Sequence, residues 1–160
     1  MMTKRFLKWS CCALLVLPMG GCDTIRREQE REMNHTVDST VAKMVLEHSA
    51  LQSRLSYAPG YLVIKRSGSG IPMVGRRGIG VVTDSKSQQR TNIRLLELEI
   101  DGGWGVGDFT GLYLFQSPED LQQASTNRWS AENAGEIFVS ADGRPSTAYA
   151  VKRISIEKKD

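Results

Sequence analysis

The chain has 160 residues, of which 40% are hydrophobic and 24% charged. That is the length of one domain, with enough apolar material for a core. The formal charge of +3 resides in the first nine residues: without Lys4, Arg5 and Lys8, eighteen basic residues face eighteen acids, which argues against general attraction to nucleic acid. The three cysteines (Cys11, Cys12, Cys22) and two histidines (His35, His48) are too few and too scattered for a Cys/His zinc site.

Residues 1–9 are basic and free of acids, and Cys11–Met19 is a short apolar stretch. A bilayer span needs about 20 apolar residues. A positive start, a short apolar run and then Gly20-Gly21 form the pattern of a cleaved export signal. The run Leu17-Pro-Met-Gly-Gly-Cys22 resembles a bacterial lipobox. The expectation is a signal peptide over 1–21, cleavage between Gly21 and Cys22, and acylation of Cys22. Cys11 and Cys12 leave with the signal, so Cys22 is the only remaining cysteine and forms no internal disulfide. An odd thiol in an exported protein calls for an explanation. Lipidation supplies one, because two or more acyl chains anchor stably. The protein would face the periplasm in the cell envelope, and Asp23 after the cysteine favours inner-membrane retention.

Residues 23–35 are charged and nearly without apolar residues, giving a tether or a solvated helix over 22–35. In 36–56, Val37, Val41, Met44, Val45, His48, Leu51 and Leu55 recur at steps of three and four, one face of an amphipathic helix. Thr36 is its expected cap and Pro59-Gly60 its stop. Strands follow at Tyr61–Ile64, Ile71–Thr83 and Ile93–Ile100, the last with a phase slip at Leu95-Leu96 that suggests a bulge. Phe109–Phe115 is apolar on both faces. Ser117-Pro-Glu-Asp120 starts a short helix, with serine as cap and proline in the first turn. Ile137–Val139 and Tyr149–Ile156 are the last strands, around an Asp142-Gly143 turn. The fold expected is α+β: an amino-terminal amphipathic helix on a bent, mostly antiparallel, barrel-like sheet with one short helix, the domain covering 36–160.

Signals for catalysis are sparse. No serine lies in a Gly-x-Ser-x-Gly elbow, and a Cys–His nucleophile pair is unavailable. Glu97, Glu99 and Asp101 alternate along a strand and face solvent. The glycine clusters Gly75–Gly80 and Gly102–Gly107 lead into strands, whereas a phosphate site needs a helix amino end after the glycines. No catalytic residue, cofactor or metal is expected. Charge is polarised: residues 60–94 hold seven bases and one acid, and residues 95–142 nine acids and one base. Neighbouring strands pairing opposite charges would explain this; a basic face for anionic headgroups is the sharper alternative.

The ordered series Ala58-Pro-Gly-Tyr-Leu-Val-Ile64, Met73-Val-Gly75, Gly78-Ile-Gly-Val-Val82, Arg90-Thr91, Gly103-Trp-Gly-Val-Gly107, Leu112-Tyr-Leu-Phe115, Ser117–Leu121 and Trp129 resembles the SYLF lipid-binding domain family over Tyr57–Gly143. The resemblance implies binding to lipid or membrane surfaces without catalysis, with anionic phospholipid such as phosphatidylglycerol or cardiolipin as the ligand in a bacterium. The basic candidates for headgroup contact are Lys65, Arg66, Arg76 and Arg77. The alternative is a structural envelope lipoprotein that binds a protein partner through the 36–56 helix and the acidic half.

Overall fold

The computed structural model describes residues 21–66, 78–102, 108–141 and 144–159, the first six of these and Gln29 by backbone alone. Among the described residues the order is α1 (Gly21–Glu47), α2 (Leu51–Tyr57), β1 (Gly60–Arg66), β2 (Gly78–Asp84), β3 (Arg90–Ile100), β4 (Phe109–Leu114), α3 (Pro118–Thr126), β5 (Arg128–Glu132), β6 (Glu136–Ala141) and β7 (Thr147–Lys158). The fold is α+β. Strands β3, β2, β1, β4, β6 and β7 pair in that order, and β7 pairs back onto β3, closing a six-stranded antiparallel barrel with β5 as an extra strand. β3 takes one edge of β7, from Val151 to Lys158. β6 and β5 lie end to end along the other, joined at Asn133–Gly135, whose backbone bonds to Val151 and Lys152. Gly135 has φ +86° there and packs so closely on Gln116 that a Cβ would fall 2.2 Å from its Nε2, which explains glycine at this corner.

Side chains alternate across the barrel wall. Leu62, Ile64, Val82, Ile93, Tyr113, Ile137, Val139, Ile154 and Ile156 fill the interior. Their neighbours Val63, Val81, Leu112, Leu114 and Phe138 point outward, clustered with Met33, Val37 and Met44 of α1 and Leu51 of α2. These strands therefore read as unbroken apolar runs because both faces are covered. α3 closes one end. Its cap is the expected one: Ser117 Oγ accepts from Asp120 N (3.1 Å) and donates to Asp120 Oδ2 (2.8 Å), with Pro118 in the first turn. Trp129 Nε1 donates to Asp120 Oδ1 at 2.9 Å, tying the helix to β5. Beneath it Phe115, Trp129 and Tyr113 pack with ring centroids 5.2–5.7 Å apart, and Leu121 lies over Gly60.

Several expectations change. The 36–56 helix is two helices with a break at His48–Ala50. Thr36 is no cap but an interior residue of α1, its Oγ1 donating to Glu32 O. α1 runs through the 22–35 segment, the helical one of the two forms expected there, but Met33 within it is buried. β5 was not expected, since Trp129 is one apolar residue among polar ones. The anticipated slip in β3 is real: its register with β7 shifts between Leu95 and Glu97, and again between Glu99 and Ile100. Ile71–Arg77, Gly103–Gly107 and the Asp142-Gly143 turn lie outside the described residues.

Two outcomes follow from this packing. A Cβ at Gly60 would stand 2.5 Å from Leu121 Cδ1 and 2.6 Å from the Thr83 carbonyl oxygen. Gly60→Ala should destabilise by about 1–3 kcal/mol, lowering the urea midpoint at constant slope; an unchanged midpoint would contradict α3 as the end cap. Burial pushes the Tyr113 hydroxyl up to about 12, with Asp120 adding to the effect. Because the folded protein holds this proton more tightly than the unfolded chain, the contribution is complete below pH ~10 and is lost as pH rises toward ~12. Tyr113→Phe should flatten the alkaline fall in melting temperature over that window.

Candidate functional site

Of the four headgroup candidates, Lys65 and Arg66 end β1, at the barrel end opposite α3. Arg76 and Arg77 are outside the described residues. Lys65 and Arg66 are consecutive on β1 and so point to opposite faces. Lys65 is on the outer face, with Nζ 3.5 Å from Glu32 Oε1 of α1. Arg66 has its guanidinium 5.8 Å from the centroid of the Phe109 ring, a cation–π contact at the barrel mouth. These two bases are therefore not brought to one face, and each already has a contact. The Lys65–Glu32 pair is exposed, and such pairs contribute about 0–1 kcal/mol, so an external anion could compete for the ammonium.

Part of the charge pairing runs between neighbouring strands, as expected, and part between the helices and the barrel. The basic half finds its acids on α1: Lys65 with Glu32, and Arg90 with Asp38, an ion pair that holds the arginine charged and raises its pKa further. The acidic half finds its bases on α2 and β7. Arg54 pairs with Glu136 at 2.9 Å, Lys152 with Asp101 at 3.0 Å, and Arg153 with Glu97 at 3.4 Å and Glu132 at 3.1 Å. Glu97, Glu99 and Asp101 are exposed, as read from the alternation.

One cluster combines a hydroxyl, an imidazole and a carboxylate. Glu47 ends α1, His48 follows it, and Ser146 precedes β7. Ser146 Oγ lies 2.6 Å from Glu47 Oε2 and 2.8 Å from His48 Nε2. Ser146 N also donates to Glu47 Oε2 at 2.8 Å. His48 packs edge-on against Phe138, centroids 4.8 Å apart, which accords with its place on the apolar helix face. The geometry differs from a nucleophile with its base. The serine proton goes to the carboxylate, so His48 Nε2–H donates toward Oγ and draws density from it, where a base would accept. Ser146 is 7% exposed and is not presented to a substrate. The cluster is a clasp between the end of α1 and the entry to β7, extended by Lys43, whose Nζ donates to Ser140 Oγ at 2.6 Å. The hydrogen bonds from Ser146 hold the Glu47 carboxyl below the usual carboxylate range. Sequence reading missed Ser146 because 98 residues separate it from His48 and neither carries a local motif.

The backbone of Gly21 and Cys22 is helical, as part of α1. Among the described residues no helix is long and apolar enough to cross a membrane, and no group of three or more His, Cys, Asp or Glu is placed to hold a metal ion. No protein-family model matches the chain, and no curated protein matches it in sequence.

Ser146→Ala removes the hydroxyl from two partners and should cost about 1–2 kcal/mol. Because Glu47 is bound in the folded state with a depressed pKa, its contribution is present above the ordinary carboxyl range and lost as pH falls through the folded value. Acid unfolding of the variant should therefore be less steep than that of the parent. Identical acid limbs would rule the clasp out as a stabilising contact.

Proposed function

We propose that the chain is a bacterial lipoprotein, exported by residues 1–21 and held in the cell envelope by acylated Cys22, whose barrel domain acts without catalysis at the membrane surface. The observation that carries the reading is the Leu17–Cys22 lipobox with Cys22 as the only cysteine left after cleavage. The amphipathic helix packed on the sheet belongs to the same reading: α1 includes Cys22 and shares an apolar cluster with the outer barrel face. Asp23 favours the inner membrane.

The SYLF resemblance supports a membrane-surface role. Of its described motif residues, Leu62, Val82, Tyr113, Phe115, Leu121 and Trp129 lie in the interior cluster and Val63, Val81, Leu112 and Leu114 in the outer one, so these motifs bear on packing more directly than on a ligand. The interior is filled by side chains, which favours contact with headgroups over uptake of an acyl chain. Anionic phospholipid remains the proposed ligand, with Lys65, Arg66, Arg76 and Arg77 as the candidate contacts. Binding to a protein partner is the second reading, favoured by the exposed Leu46 and Tyr57, 88% and 86% accessible.

Cys22→Ser should abolish palmitate incorporation and shift the protein from the detergent phase to the aqueous phase; continued labelling would exclude the anchor. Residues 23–160 should float with phosphatidylglycerol-containing vesicles and not with neutral ones. Reversing Arg76 and Arg77 to glutamate should weaken this most at low salt, where exposed charges are least screened. Negligible binding to both vesicle types would sink the lipid ligand and leave partner capture that survives detergent as the reading to pursue.

A further inference from the structure

Helix α1 runs unbroken from Gly21 to Glu47, and its described side chains change character along that length. Arg27, Glu28, Arg31 and Glu32 are exposed, and among the described side chains of α1 Met33 is the first that is buried. From there Met33, Val37 and Met44 sit in the outer cluster with Val63, Val81 and Leu112. Ion pairs on two strands fix the rotation of the helix. Glu32 meets Lys65 of β1, and Arg90 of β3 reaches both Asp38 and the Asn34 carbonyl. A polar segment of about eleven residues would not hold a helix alone, because nucleation is costly. Here the docked turns supply the nucleus, and each residue toward Cys22 adds a backbone bond without that cost. Arg27 with Glu30, and Glu28 with Arg31, stand three apart with opposite charge, a spacing that favours the helix.

We propose that residues 22–32 are a rigid stalk that sets both the height and the orientation of the barrel over the bilayer, with the β1–β2 face nearest the lipid. At 1.5 Å per residue, Cys22 stands about 16 Å from Met33 along the helix. The stalk leaves the barrel beside Lys65, whose cross-strand partner is Ile79. Ile79 is 49% exposed, an apolar side chain on the outer wall at the point where the helix departs. The inference rests on the lipoprotein reading, since the stalk needs Cys22 in the membrane. It adds that the barrel does not swing on a flexible tether.

The cysteine content makes a direct test available. Once Cys22 is acylated and the signal removed, an introduced cysteine is the only free thiol. The full lipoprotein, made in cells with Ile79→Cys or Glu132→Cys, is labelled with a fluorophore and reconstituted into phosphatidylglycerol-containing vesicles bearing headgroup nitroxides. The label at 79 should be quenched several-fold more than the label at 132. Two alanines inserted between Arg27 and Glu28 rotate the barrel by about 200° and should change that ratio strongly. A seven-residue helical insert returns nearly to the original phase and adds ~10 Å, so it should keep the order and weaken both signals. A seven-residue Gly-Ser insert should bring the two labels toward equality. A ratio near one in the parent, or one indifferent to all inserts, overturns the stalk. Failure to enter vesicles, with Cys22 found as a second free thiol, overturns the anchor itself and the stalk with it.

Discussion

β7 carries the pairing on which the molecule depends. Along one edge it meets β3; along the other it meets β6 and then β5. Without the β3 contact the sheet would be an open ribbon with β3 and β7 as bare edges, each a template for unwanted pairing. With it the sheet closes and the interior is shut off from water. Six strands enclose little volume, and Tyr113, Phe115 and Trp129 fill it where α3 covers the end. The shifts in the β3–β7 register belong to this closure, because bulges increase the local bend.

Closure also explains the placement of the helices. The outer faces of β1, β2, β4 and β6 carry Val63, Val81, Leu112, Leu114 and Phe138, which in a bare barrel would form a large exposed apolar patch. α1 and α2 cover it, and the polar contacts at their rims (Glu32, Asp38, Lys43, Glu47, Arg54) all reach partners on the barrel. The helices are thus part of the domain that the barrel defines. With both core layers occupied, what the molecule offers to others is its exterior and the end opposite α3.

Much of this was legible in the sequence where one residue type answers one constraint. The Ser117-Pro118 start of α3, the double-faced strand at Phe109–Phe115 and the slip at Leu95-Leu96 each have a local cause. Contacts decided by tertiary structure were not legible. The break at His48 arises where Ser146, distant in sequence, takes the imidazole and the neighbouring carboxylate. β5 exists because β7 extends beyond β6 and needs a partner there, and Trp129 alone could not announce it. The burial of Met33 was not legible either: it is a single apolar residue among charges, and its burial depends on the barrel face it meets. Of the headgroup candidates, nothing in the adjacency of Lys65 and Arg66 signals their divergence, apart from the two-residue period of any strand.

The order of strands along the chain has a kinetic side. β1, β2 and β4 can pair among themselves early, with modest loops between them. The seam between β3 and β7 joins residues roughly sixty apart, and such distant contacts are slow to form. β7 is also the last of the described strands in chain order, so a polypeptide emerging amino end first displays β3 with an unpaired edge until Thr147–Lys158 has followed. A chain threaded across a membrane in that direction would stay unclosed, and pliable, for nearly its whole passage. The seam would then act as a timer, sealing the domain only when the amino-terminal strands have already been delivered.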